Sequence, residues 1–151
     1  MGYISDIRRK VGHDAVFMPA AACGIIKDDK ILLQKRTDNG KWAIHGGSLE
    51  LGETFLEALE RELKEELNIK PINPEMVDIY SGEDLHFIYP NRDEVFLIST
   101  IYLVKEYEGE LKLDYGEVSE IKWFDLDKLP NNIHDPDIQP IKDIIAYHRK
   151  D

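Results

Sequence analysis

The segment from Thr54 to Leu67 constrains the fold more than any other stretch of this chain. Leu56, Leu59, Leu63 and Leu67 recur at helical spacing, with Glu57, Glu60 and Lys64 on the opposite side. Thr54 followed three residues later by Glu57 is a capping-box pattern, and Asn68 suits the left-handed residue that closes a helix. An amphipathic helix of this kind must bury its leucine stripe against a sheet or another helix. At 151 residues the chain is long enough to supply that partner within a single domain, 1–151, without disulfides or structural metal.

The same helix carries an unusual charge pattern. At 100° per residue Glu62, Glu65 and Glu66 fall within an arc of about 100°, beside the leucine stripe rather than opposite it. Like charges at these spacings cost a few tenths of a kcal/mol each when exposed, and more when partly buried. Arg61 and Lys64 are near in sequence, but the helical projection puts neither on the acidic edge, so a bound divalent ion is the economical explanation. Ligands that are all oxygen favour Mg²⁺ or Mn²⁺ over zinc. A glutamate-rich helix by itself is commonly just a solvated face. The preceding segment, Trp42 to Glu53, shifts the balance, because its glycines at 46, 47 and 52 let backbone approach a ligand just before a helix N-terminus.

Apolar, β-branched runs at Ala20–Ile26, Ile31–Leu33, Met76–Tyr80, Leu85–Tyr89, Val95–Val104 and Ile121–Phe124 predict strands. Asp28-Asp29 reads as a hairpin tip and Tyr89 to Asp93 as a turn, so antiparallel pairing is expected. A second helix is predicted over 137–148, with Ile138, Ile141, Ile144 and Ile145 as its apolar face. Residues 1–15 read as an N-terminal extension. Mixed strands with helices to cover both faces predict an α/β fold, an α/β/α sandwich.

Gly47, five residues, Glu53, seven residues, and then Arg61-Glu62-Leu63-Lys64-Glu65-Glu66-Leu67-Asn68-Ile69 resembles the Nudix hydrolase signature. The match spans 23 consecutive positions and departs at one fixed position, where Asn68 replaces the usual Gly; Asn tolerates the same backbone conformation. The order of flanking strands is also similar, which implies a Nudix-type α/β/α sandwich with a mixed β-sheet.

The resemblance implies divalent metal, Mg²⁺ with Mn²⁺ as an alternative, and attack of water on a pyrophosphate. Carried over residue by residue, Glu65 and Glu66 would be metal ligands, the Gly46 carbonyl a further one, and Glu62 a ligand or the general base. Arg61 would orient Glu53 through a charge-assisted pair. Members of the family often place one more glutamate on a later loop; Glu117 is the candidate, as ligand or base, with Glu120 second and Glu94 third. Lys35 and Arg36, at the end of a strand leading into the loop, are the nearest cations for substrate phosphate, and Arg36 suits it better because its guanidinium binds in two-pronged fashion. Trp42, Phe87 and Tyr89 could stack on a base, although aromatic residues in strands usually belong to the core. His45 stands where the family commonly has Pro.

Composition narrows the partners. A net charge of −11 argues against sequence-independent nucleic-acid binding, which depends on Lys and Arg against phosphates. A small nucleotide held with metal remains compatible with that charge. Cys23 is the only cysteine, and no apolar run suits a secretory signal or membrane span, so a cytoplasmic protein is expected. The resemblance makes a homodimer an expectation. It leaves the substrate open: related ADP-ribose hydrolases carry a Pro about sixteen positions past the signature and dinucleoside polyphosphate hydrolases a Tyr about seventeen past, whereas this chain has Asp84, Leu85, His86 and Phe87 there. Nucleoside diphosphate-linked compounds and nucleoside triphosphates both fit. The alternatives are a non-catalytic nucleotide-sensing domain of the same fold, usually marked by loss of one of the three glutamates, and a protein-interaction module.

Overall fold

The computed structural model describes residues 2–113 and 118–150. Its elements are α1 (Tyr3–Val11), β1 (Val16–Lys27), β2 (Lys30–Arg36), β3 (Trp42–Ala43), β4 (His45–Ser48), α2 (Phe55–Leu67), β5 (Lys70–Ile72), β6 (Glu75–Tyr80), β7 (His86–Ile88), β8 (Glu94–Val104), β9 (Glu106–Glu108), β10 (Val118–Asp125) and α3 (Ile138–Arg149). The main sheet runs β10-β2-β1-β8-β6, with β3 added to β2, β4 to β1 and β7 to β8, while β5 and β9 form a small separate pair.

The long strand β1 organises the whole. Along one edge it pairs with β8 in parallel over ten residues, Val16–Ile25 against Val95–Val104. This parallel pair makes the sheet mixed, as the family resemblance implied, although the turns alone pointed to antiparallel pairing; it follows from topology, because the long connection between these strands contains α2, a crossover that permits parallel alignment. Along its other edge β1 is shared. Ile25–Lys27 pair with β2 through a hairpin whose tip, Asp28 and Asp29, has both φ angles positive, as a tight right-twisted hairpin needs. Ala20–Cys23 pair instead with β4. β2 and β4 therefore part company beside β1, and a cleft opens between them.

One core lies on each face of the sheet. On one face Ala58, Leu59, Leu63 and Leu67 of α2 pack on Ala21, Cys23, Ile25 and Leu32. On the other, Ile141, Ile144 and Ile145 of α3 pack on Ile31, Leu33, Ile101 and Leu103. The sandwich is as expected, but the outermost residue of each apolar stripe is not covered: Leu56 is 45% exposed and Ile138 39%. Helix ends project past the sheet they cover, which leaves first-turn residues in solvent.

Short elements account for the other differences. The run Leu85–Tyr89 divides into a 3₁₀ turn, Glu83–Leu85, and the three residues of β7. The loop from Trp42 contains β3 and β4, and the N-terminal extension contains α1. Among the described residues no helix is long and apolar enough to cross a membrane.

Candidate active site

α2 is fixed at both ends by its own sequence. Thr54 Oγ1 accepts from the Glu57 N–H at 3.1 Å, while Glu57 Oε1 accepts from the Thr54 N–H at 2.9 Å. Asn68 closes the helix at φ 61°, ψ 35°, with its N–H returned to the Leu63 and Lys64 carbonyls. With Leu59, Leu63 and Leu67 buried, the helix turns Glu62 and Glu66 toward β4 and leaves Glu65 at the rim.

Two glycines allow β4 to lie close against those carboxylates. Gly46 has φ +152°, and a Cβ there would stand 2.1 Å from the Ala21 carbonyl oxygen. A Cβ on Gly47 would stand 2.5 Å from the Glu62 carboxyl carbon. Only glycine fits at Gly46, where the obstacle is backbone, while a side chain at Gly47 would push the Glu62 carboxylate out of place. The buried Glu66 then accepts from the Gly46 N–H at 3.1 Å, joining helix to strand.

Arg61 knits loop and helix together. Its Nε donates to Glu53 Oε2 at 2.7 Å and its Nη2 to Glu53 Oε1 at 2.9 Å, with a further bond from Nη2 to the Ser48 carbonyl at 3.0 Å. Nη1 donates to Glu62 Oε1 at 2.9 Å and reaches Glu65 Oε2 at 3.5 Å. The expectation that Arg61 stays off the acidic edge is thus corrected: a helical projection places Cβ atoms, whereas a long guanidinium stem swings its head around the helix. The Arg61 hydrogen bonds hold the Glu53 carboxyl below its ordinary range, and those to Glu53 and Glu62 raise the guanidinium further.

A cleft of about 380 Å³ lies between this loop and helix and the end of β2. Glu62, Glu66, Gly46 and Gly47 line one wall; Gln34, Arg36, Thr37 and Asp38 line the other. Arg36 faces into it, held by Asp38 through Nε at 2.8 Å and Nη2 at 2.6 Å. Lys35, one residue earlier, alternates to the opposite face, where its Nζ lies 6.0 Å from the Trp42 ring. The structure therefore brings together Gly46, Glu62, Glu66 and Arg36, with Glu53, Arg61 and Glu65 beside them, and leaves Lys35 apart. Glu117 lies outside the described residues. Glu120 is in register with Lys35, and Glu94 contacts His86 Nε2 at 2.6 Å.

Gln34, Asp38 and Asp137 were not singled out from the sequence. Gln34 Nε2 donates to the Ile44 carbonyl at 3.0 Å, and Asp137 Oδ2 accepts from the Ile44 N–H at 3.1 Å, so Ile44 is pinned from both sides. Asp137 arrives there because residues 132–134 run alongside β3, with the Trp42 N–H on the Asn132 carbonyl and the His134 N–H on the Trp42 carbonyl. Burial pushes its carboxyl up to about 7. Asp38 alone carried a signal, two residues beyond a strand-end arginine.

His45 is buried rather than in the cleft. Its Nε2 lies 3.0 Å from the Leu32 carbonyl, Nδ1 has no hydrogen-bond partner among the described residues, and burial lowers it to about 4, so it is a neutral donor stitching β4 to β2. Trp42 is likewise core, edge-on to Phe124 at 4.9 Å.

The donor set suits a hard divalent cation. Glu62, Glu65 and Glu66 offer only oxygen, and the glycines bring backbone to the same edge. Among the described residues no three acidic, imidazole or thiol groups gather tightly enough to cage an ion alone. Magnesium is commonly bound in that way, by one or two carboxylates completed by water and substrate oxygens.

Comparison with known proteins covers the same part of the chain. Residues 17–144 match the NUDIX domain family. The chain is 38% identical over 135 residues to an ADP-ribose pyrophosphatase of Methanocaldococcus jannaschii, covering 85% of this chain and 75% of that one. It is 31% identical to an RNA pyrophosphohydrolase of Pelagibacter ubique, covering 78% and 82%. In fold it is similar to the MutT NUDIX hydrolase of Burkholderia pseudomallei, with a TM-score of 0.74 at 23% identity over 85% of this chain and 98% of that one. Signature, fold and relatives agree: this chain belongs to the Nudix hydrolase family and is an enzyme of the pyrophosphatase kind.

Proposed function

We propose that this enzyme hydrolyses the pyrophosphate bond of a nucleoside diphosphate-linked substrate with Mg²⁺, ADP-ribose being the first compound to test. The observation that carries the reading is the convergence of Glu62, Glu66 and the Gly46-Gly47 backbone on one wall of a cleft whose other wall presents Arg36. The 38% identity to an ADP-ribose pyrophosphatase supports the substrate class and outweighs the missing proline, a single position in a loop.

Mg²⁺, when bound, would make water more acidic and offset phosphate charge. Glu62, Glu65, Glu66 and the Gly46 carbonyl would hold it. Attack by the water oxygen on one phosphorus breaks its bond to the bridging oxygen, which departs with the electron pair as a phosphate, and the water's proton passes to a carboxylate. Glu53 is poorly placed to take that proton, since Arg61 and the Glu50 N–H occupy both its oxygens. Its part is to position the loop, which leaves Glu62 or Glu117 as base. Arg36 would leave Asp38 for a substrate phosphate, exchanging one two-pronged ion pair for another.

The test is product analysis after incubation of ADP-ribose, nucleoside diphosphate sugars and nucleoside triphosphates with Mg²⁺ or Mn²⁺. AMP and ribose 5-phosphate from ADP-ribose are expected. A folded protein that binds Mg²⁺ but cleaves none of these compounds would overturn the reading in favour of a nucleotide sensor. A cytoplasmic homodimer completes the proposal, checked by sedimentation of the purified protein and fractionation of cells.

A further inference from the structure

The catalytic loop is tied to a part of the chain that its signature does not contain. Glu50 lies between Gly47 and Glu53 and directs its carboxylate at the N-terminus of α1. The Tyr3 N–H donates to Glu50 Oε1 at 2.9 Å and lies 3.4 Å from Oε2. Gly2 makes room for this contact, for a Cβ there would stand 3.0 and 3.2 Å from the two carboxylate oxygens. A carboxylate at a helix N-terminus is favoured both by the exposed N–H and by the helix dipole.

The other end of α1 is fastened separately. Arg8 donates to the carbonyls of Gly12, Asp14 and Glu94, the last at the start of β8. The helix thus spans from the sheet to the loop. From Glu50 the connection continues inward: the Glu50 N–H donates to Glu53 Oε1 at 2.8 Å, the Glu53 N–H to the Glu50 carbonyl at 3.1 Å, and Glu53 meets Arg61, which holds Glu62. Leu49, next to Glu50, is pinned by its N–H to the Pro19 carbonyl at 3.0 Å.

We infer that Glu50 is a positioning residue through which α1 braces the catalytic loop and so sets the geometry of the carboxylates that would hold metal. The inference rests on the proposed metal-dependent reaction at this site. Without the brace the Leu49–Glu53 turn is held by the Leu49 bond to Pro19, its own internal bonds and Arg61, and the Arg61 network loses one fixed end. Binding of metal and turnover should suffer, whereas the far wall, and with it recognition of substrate, should not.

Tyr3→Pro tests the contact directly. Tyr3 is the first helical residue, where proline is tolerated, and Gly2 already has the extended backbone, φ −79° and ψ 170°, that a residue before proline requires. The change removes the N–H that Glu50 accepts and leaves the helix able to start. Glu50→Ala removes the other partner, and Glu50→Gln keeps an acceptor while removing the charge. Three readouts separate positioning from bulk stability: kcat against KM, Mn²⁺ affinity by electron paramagnetic resonance, and hydrogen exchange of the amides at 49–53.

Tyr3→Pro and Glu50→Ala should each lower kcat by about tenfold with KM changed by less than about twofold. Both should weaken Mn²⁺ binding and speed exchange at 49–53, with Glu50→Gln intermediate, and the double variant should be no worse than the poorer single one. Tyr3→Pro with wild-type kcat and Mn²⁺ affinity would overturn the inference, as would losses that simply add. A wild-type protein that hydrolyses nothing would instead count against the proposed reaction, and the Mn²⁺ and exchange measurements would still read the brace.

Discussion

The two walls of the cleft are built in opposite ways. The wall that carries the glutamates comes from residues 46 to 68, and its main contacts close inside that segment: Arg61 with Glu53, Glu62 and Glu65, and Glu66 with the Gly46 N–H, while Glu50 reaches outside it to Tyr3. The facing wall is gathered from the end of β2 and the linker between β3 and β4, with Asp137 brought from just before α3. A local segment can be encoded as a motif and transferred intact between proteins, while a wall assembled from distant segments changes whenever any of them does. On the proposed function the first wall carries the reaction chemistry and the second the substrate choice, and mutation can break that assignment.

The largest effect belongs to Glu66. Glu66→Gln preserves the acceptor for the Gly46 N–H but removes the charge, so kcat should fall on the order of a thousandfold while the melting temperature stays within a few degrees. Turnover near wild type would remove Glu66 from the reaction. Arg61→Lys comes next. An ammonium cannot bind both oxygens of Glu53 while also reaching Ser48 and Glu62, so kcat should fall by about ten- to a hundredfold and unfolding free energy by about 1–3 kcal/mol. Chemical denaturation beside steady-state kinetics would measure both; an unchanged protein would mean the network is dispensable.

The opposite wall should answer in KM. Arg36→Ala should raise KM by about tenfold with little change in kcat, and Asp38→Asn, which frees Arg36 from its carboxylate, should lower KM by about threefold. If Arg36→Ala lowered kcat instead, the far wall would take part in the chemistry and the division would collapse.

Asp137 gives that wall a pH signature. Its carboxyl is raised to about 7 by burial, against an ordinary value near 4, so folding takes up a proton between those values and the native state loses stability as pH rises through that window. Asp137→Asn can still accept from the Ile44 N–H without charging. Its melting temperature relative to wild type should therefore climb from pH 5 to pH 8, and a difference that stays flat would show that the Asp137 carboxyl ionises as it does in the unfolded chain.

The same contrast explains what could be read from the sequence. α2 was legible with both ends because periodicity, capping box and closing Asn are local, and Arg61 with Glu53 was legible because the signature spans both. The parallel pairing of β1 with β8, the tie of α1 to Glu50 and the arrival of Asp137 at Ile44 rest on contacts between residues 47 to 93 positions apart, which no window of sequence contains. Lys35 and Arg36 could be ranked in the sequence only by the two-pronged binding of the guanidinium, not by the face each side chain takes. Strand alternation separates them, and its phase is set only once Leu32 and Leu33 have been assigned to opposite cores.

Asn68 should give the smallest effect, and it shows how a local feature acquires tertiary work. Where the signature usually has Gly, Asn68→Gly would relieve the left-handed backbone by a few tenths of a kcal/mol. The Asn side chain, however, accepts from Lys64 Nζ at 2.9 Å and donates to the Glu110 carbonyl at 3.1 Å, tying the end of α2 to the loop after β9. Losing an exposed bond of each kind costs a similar amount, so the net change in unfolding free energy should stay within about 0.5 kcal/mol. Asn68→Asp isolates the second bond: it keeps the backbone preference and the acceptor for Lys64 but cannot donate to Glu110, and should be the less stable of the two. If Gly proved more stable than Asn by 1 kcal/mol or more, the tie to Glu110 would be worth nothing, and the departure from the signature would lack a physical reason.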